Sequence, residues 1–134
     1  MLEQISLAQR ALYLAGRTLL GLYFVLPGVQ KIFGWSAMSD YMAAAGVPLV
    51  PVLLALTIVI QIGAGASLMI GYRQQLMAFL LAGLTLVINL YMHAFWGMEE
   101  GQQQAHETQN FVKNLAIMAG LLFVAGANVK TSKD

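Results

Sequence analysis

The apolar run that begins at Leu12 and continues through Leu26 limits this chain more than any other feature, because it holds a cation and another follows close behind. Carried on to Phe33, the run is long enough to cross a bilayer as a helix, which takes roughly 20 residues. Arg17 lies well inside it and Lys31 near its far end. Their spacing of 14 positions brings the two side chains back to within about 40° of each other, ~21 Å apart along the axis. Gly21, Phe24 and Gly28 fall on the same stripe. A cation facing lipid costs from about 2.5 kcal/mol upward, so this face is expected to point at protein or water.

Composition extends the argument to the whole chain. Of 134 residues, 59% are hydrophobic and 10% charged, against roughly 45–50% and 25% in soluble domains. A soluble protein of this size has no interior large enough for that much apolar surface. The expected fold class is all-α: an integral membrane four-helix bundle with a short interfacial helix between spans one and two. One transmembrane domain covers 1–134, with spans at about 11–33, 51–71, 76–96 and 111–127. A net charge of +1 gives no field that would attract nucleic acid. The absence of cysteine removes disulfides, thiolate catalysis and iron–sulfur ligation. Met1 to Gln9 carries Glu3 and no basic n-region, so no cleavable signal is expected.

Residues 1–10 read as an interfacial helical lead-in. Pro27 and Gly28 interrupt the first span, either as a kink or as opened backbone beside a polar cavity. Ser36 is placed to cap a small helix that Gly46 ends, and Trp35 and Tyr41 suit the headgroup zone. Gln61 falls in the middle of the second span. Gly63 and Ser67 form a small-xxx-small pair that lets a neighbouring backbone approach. A tight turn at Tyr72–Gln75 makes spans two and three an antiparallel hairpin. Thr85, Asn89 and His93 recur every four residues on the third span. The polar stretch GMEEGQQQAHETQN reads as a solvated loop, and the fourth span opens with Asn110, Lys113 and Asn114.

Arg10, Arg73, Lys130 and Lys133 share one side, whereas Lys31, Lys113 and the acidic residues Asp40, Glu99, Glu100 and Glu107 fall on the other. Both termini are therefore expected in the cytoplasm. In that arrangement Lys31, His93, Asn110 and Lys113 sit near the outer ends of their spans, with Gln61 and Asn89 deeper and Arg17 in the inner half. The candidate ligand-binding set is Arg17, Lys31, Gln61, Asn89, His93, Asn110 and Lys113, around a pocket with Trp35, Tyr91 and Trp96 near its mouth. Each residue also has a plainer role. Gln and Asn in spans often only join helices, and Lys and Arg reach along their own stems to the headgroups. A bis-histidine haem is excluded, since only His93 lies within the bundle. HETQN lacks the second histidine of a zinc-protease helix, so no metal is expected. No catalytic motif stands out.

The pattern R-x3-G-x2-F-x3-G-x2-K at Arg17, Gly21, Phe24, Gly28 and Lys31 resembles the opening of the DoxX family of small bacterial membrane proteins. The likeness continues through MAAAGVP, GAGASLMIGYR, the His93 helix and FVKNLAIMAGLL. Members commonly carry Glu where this chain has Gln61, which hydrogen-bonds but does not titrate. The resemblance implies a bacterial inner-membrane protein tied to a redox system, at most a subunit of a quinone-linked oxidoreductase. Quinone is the one cofactor it suggests. Together with the convergent polar set, it points to a subunit that binds a quinone-like or small amphipathic ligand, with electrons coming from a partner. Transport of a small solute or ion, and a scaffold for a partner enzyme, are the rival functions. The lipid bilayer, a redox enzyme and a second copy of the chain are the candidate partners.

Overall fold

The structure is a computed structural model and describes residues 6–127. Its helices run in the order α1 Leu7–Phe33, α2 Trp35–Ala44, α3 Val50–Ile70, α4 Gln74–Met92 and α5 Gln102–Gly126, with a 3-10 turn at Phe95–Gly97. Among the described residues there is no strand. Helices α1, α3, α4 and α5 are each long and apolar enough to cross a membrane.

The stripe read on the first span is the buried face of α1, whose buried residues are Arg17, Gly21, Phe24 and Gly28. That face packs on α3. A Cβ at Gly21 would run into the Gly65 carbonyl oxygen, and one at Gly28 would come within 2.7 Å of Ile62 Cγ1. These glycines act by letting two backbones approach, not by loosening the helix. Gly63 is exposed with nothing within 4 Å of its would-be Cβ. The close approach therefore uses Gly65, and the Gly63–Ser67 expectation is corrected.

The chain turns from α1 into α2 at Gly34 with little break in hydrogen bonding. Gly34 N bonds Gln30 O at 2.8 Å, and Met38 N bonds Gly34 O at 3.0 Å. The helix consequently starts at Trp35 without a side-chain cap, so Ser36 does not cap it. Its far end closes as expected on Gly46, whose φ is +84. Gly46 N bonds Ala43 O and Val47 N bonds Met42 O, the paired bonds of a glycine-terminated helix end.

Helix α3 ends at Ile70 and α4 begins at Gln74, so the expected hairpin is present. A core at this end gathers Leu68, Ala78, Leu81 and Leu121. At the other end Met42, Leu54 and Ile58 pack α2 onto α3. The main departure is α5. It starts at Gln102, so most of the stretch read as a loop, QQQAHETQN, forms its first turns. Helix α1 likewise begins at Leu7, where Ser6 and Gln9 cap each other reciprocally, and is continuous with the lead-in. Residues 1–5, Lys130 and Lys133 lie outside the described residues.

Candidate functional site

A cavity of about 530 Å³ opens between the two cores, bounded by α1, α2, α3, α4 and α5. Its walls are mostly apolar, with Phe24, Pro27, Met42, Leu53, Leu56, Leu84 and Ile88 among them. Several lining residues are also exposed on the flanks of the spanning helices, including Tyr23, Leu56, Val87 and Tyr91. The cavity thus opens sideways, at the depth where a bilayer would surround these helices. Pro27 has no N–H to give the Tyr23 carbonyl, and both residues line the cavity. A second recess of about 310 Å³ lies between the end of α1 and α2 and shares Lys31 and Tyr41.

Five of the seven candidate residues, Lys31, Gln61, His93, Asn110 and Lys113, line this cavity, together with Thr85 and Asn114. Gln61 is 4% exposed, and its side-chain oxygen is buried with no hydrogen-bond partner. Such a group costs about 1–3 kcal/mol unless something bonds it. Lys113 is exposed and borders the rim. Asn89 is fully buried behind the wall. Its Nδ2 donates to Phe111 O at 3.1 Å, and its Oδ1 accepts from Asn114 Nδ2 at 3.2 Å. Asn89 therefore joins α4 to α5. Arg17 lies apart, level with the α3–α4 connection, where its Nη1 donates to Gln74 Oε1 at 3.1 Å. It sits at the hairpin end of the bundle, on the side where the inner half of the span was expected, and so away from the other candidate residues. Of the aromatic residues expected at the mouth, Tyr91 lines the cavity. Trp96 packs edge-on against Phe95 and Phe111, with ring centres 5.4 Å and 5.6 Å away.

The residue that sequence reasoning missed is Glu107. It is 3% exposed and accepts three hydrogen bonds from three elements. Oε1 takes His93 Nδ1 at 2.9 Å and Asn110 Nδ2 at 2.8 Å, while Oε2 takes the Tyr41 hydroxyl at 3.1 Å. A carboxylate can only accept, so His93 presents Nδ1–H to it. That leaves Nε2 as the remaining polar atom of a ring that lines the cavity. While the ring is neutral, Nε2 is an acceptor. Glu107 fixes the histidine's tautomer and ties α5 to α4 and α2.

The Tyr41 hydroxyl also lies 3.2 Å from Met92 O, so one hydrogen serves two acceptors. Burial, and then the hydrogen bond to Glu107 and its charge, push the Tyr41 hydroxyl up to about 12. The neutral form is the one the fold prefers. Its contribution to stability is complete below the unfolded value of about 10 and is lost as pH rises through the folded value. Thermal unfolding of wild type and Tyr41→Phe from pH 8 to pH 12 checks this. The wild type should hold a constant advantage to about pH 10 and lose it by about pH 12. A constant gap across that range would show that Tyr41 does not titrate against the fold.

The profile of the DoxX family matches residues 12–94 of the chain. The chain belongs to the DoxX family. That match takes in α1 through α4, and so Lys31, Gln61 and His93, but leaves out α5 with Glu107, Asn110 and Lys113. The Escherichia coli inner membrane protein YqjF is 32% identical over 112 residues, covering 84% of this chain and 80% of that protein. The Escherichia coli inner membrane protein YphA is 27% identical over 118 residues, covering 88% of this chain and 84% of that one. No solved structure matches. With four membrane-length apolar helices and inner membrane proteins as relatives, this DoxX member is a multi-pass inner membrane protein.

Proposed function

We propose that this DoxX protein binds a quinone-like or other small amphipathic ligand in the cavity, as a subunit of a membrane redox system. The observation that carries the reading is the Gln61 side-chain oxygen, buried and unbonded in a mostly apolar cavity of about 530 Å³. That volume falls within the range of about 300–1,000 Å³ usual for small-molecule sites. The apolar walls suit a ring and a hydrocarbon tail, and the sideways opening suits a ligand that arrives from the bilayer. A ligand hydroxyl satisfies Gln61 Oε1. A ligand carbonyl accepts from the Gln61 amide nitrogen or from Lys31. The carboxamide thus serves a quinol and a quinone alike. Electrons pass to or from a partner enzyme.

In this reading Lys31, Gln61, His93, Asn110 and Lys113 contact the ligand, and Asn89 holds the wall behind them. Arg10, Arg17 and Arg73 gather at the hairpin end, whereas Asp40, Glu99, Glu100 and Glu107 lie toward the opposite end. Basic residues favour the cytoplasmic side. Both termini are then cytoplasmic and the cavity belongs to the outer half of the membrane. Transport along α1 has less support, because Phe24, Leu68, Leu81 and Leu121 pack between Arg17 and the cavity.

Titrating a short-tailed ubiquinone analogue into purified protein tests the proposal. Gln61→Leu, Lys31→Ala and His93→Ala should each weaken binding about 3- to 30-fold, as expected for one lost hydrogen bond. Equal affinity in all four proteins would remove these residues from the site.

A further inference from the structure

The hairpin end of the bundle holds a second polar arrangement that the cavity does not use. Arg17 carries a full charge yet is only 9% exposed. Its one hydrogen bond among the described residues goes to Gln74 Oε1, an oxygen that the Tyr13 hydroxyl already bonds at 2.7 Å. The guanidinium lies 5.6 Å from the centre of the Tyr13 ring. It rests on Gly71, where an added Cβ would come within 2.9 Å of it. Nε is buried with no partner. Each of these neighbours is neutral. The C-terminal end of α3 offers the equivalent of about half a negative charge, and among the described residues no carboxylate compensates the rest of the cation. The described acidic side chains all lie on α2, on α5 or in the connection before it. A buried cation with no counter-charge is expensive, and membrane-embedded ones ordinarily have a partner.

The surroundings specify what kind of anion fits. Helix α4 starts at Gln74, the residue Arg17 bonds. It has no side-chain cap and no acidic residue in its first turn. Its first N–H groups therefore point out of the helix as a ready anion site. Arg73 is the N-cap residue of the same helix, and its exposed side chain adds a second cation to this end of the bundle. Arg10, seven residues before Arg17, falls within about 20° of it around α1. Guanidinium forks and helix N-terminal amides are the groups that grip phosphate oxygens. The level is also right, since this is where two spans end and lipid headgroups begin.

We propose that Arg17, with Arg73 and the first turn of α4, forms a site for an anionic phosphate group, presented by a phospholipid headgroup or as free phosphate. The site is separate from the cavity and does not depend on what the cavity binds. It also differs from the ordinary excess of cytoplasmic cations, because those remain solvated and Arg17 does not.

The test uses the purified full chain in neutral detergent and follows its thermal unfolding. Dihexanoyl-phosphatidylglycerol, dihexanoylglycerol and inorganic phosphate are titrated separately. Phosphatidylglycerol should raise the midpoint, and dihexanoylglycerol, which lacks the phosphate, should not. Arg17→Gln should weaken the phosphatidylglycerol effect at least about ten-fold, as expected for losing a charged hydrogen-bond donor. Arg73 has φ +47, so Arg73→Gly keeps the turn while removing the charge. It should weaken binding about three-fold even if the Arg17 variant fails to fold. Stabilisation by inorganic phosphate at matching concentration assigns the site to free phosphate. Its absence, with phosphatidylglycerol active, assigns the site to the headgroup. The proposal is overturned if dihexanoylglycerol stabilises as well as phosphatidylglycerol, or if the variants bind as wild type does.

Discussion

Glu107→Ala is expected to destabilise the folded chain by about 3 kcal/mol, more than any other single polar truncation near the cavity. The carboxylate is 3% exposed and is the shared acceptor for His93, Asn110 and Tyr41. Removing it strands two donors. Asn110 loses its bond to Oε1, and the His93 Nδ1–H has no second acceptor among the described residues. Tyr41 keeps only the longer contact to Met92 O at 3.2 Å. Each half-buried donor left without its charged acceptor costs about 1–2 kcal/mol, and the link from α5 to α2 is lost with them. Glu107→Gln keeps one carbonyl oxygen and the side-chain shape, so it should cost about half as much. The two substitutions act on one network. Combining Glu107→Ala with Tyr41→Phe should therefore cost less than the sum of the separate effects. Thermal or denaturant unfolding in detergent measures all three. A Glu107→Ala protein within about 0.5 kcal/mol of wild type would mean that the network does not hold these helices together.

The reason Glu107 was not evident from the sequence is local. The stretch QQQAHETQN has no apolar stripe, and the helix it forms starts at Gln102 behind Gly101, without a side-chain cap. Nothing local distinguishes it from a solvated loop. Its partners come from α2 and α4, so its burial is a tertiary fact. One signal was present: Glu107, Asn110 and Asn114 are spaced by three and four, which carries the polar stripe of α5 back beyond the expected start of the span. The α1 stripe was legible, by contrast, because small residues and a charge recur at helical spacing against an aliphatic background. The separation of Arg17 from the cavity was not, because that depends on how α3 and α4 pack between Arg17 and the other polar residues. On α3, which is aliphatic almost throughout, Gly63 and Gly65 look equivalent in sequence, and only the neighbour separates them. The polar residues of the cavity were individually readable for the opposite reason. Few hydrophilic groups occur in the spans, and lipid leaves them nowhere to go but inward.

Gly21→Ala is expected to cost about 1–3 kcal/mol, and Gly21→Val more, although either change leaves a hydrophobic residue on an apolar helix. The added Cβ meets the Gly65 carbonyl oxygen, Met69 Cγ at 2.6 Å and Met69 N at 3.1 Å. A flexible side chain could move aside, but two of these three atoms are backbone, so α1 must lift away from α3. Gly65 is constrained in the same way, since its own Cβ would lie 2.8 Å from Gly21 O. Gly28, the other glycine of the α1 stripe, sits against Ile62 and Gln61 Cβ, so a displaced α1 would also disturb the wall that holds Gln61. A ligand held at Gln61 should then bind more weakly along with the loss of stability. Gly63→Ala is the contrasting change. Nothing lies within 4 Å of its Cβ, and alanine is the better helix former by about 1 kcal/mol, so that variant should unfold at or above the wild-type midpoint. Thermal unfolding of the two alanine variants in one detergent separates the contacts. If Gly21→Ala melts with Gly63→Ala, α1 and α3 do not touch backbone to backbone, and the wall of the cavity is built some other way.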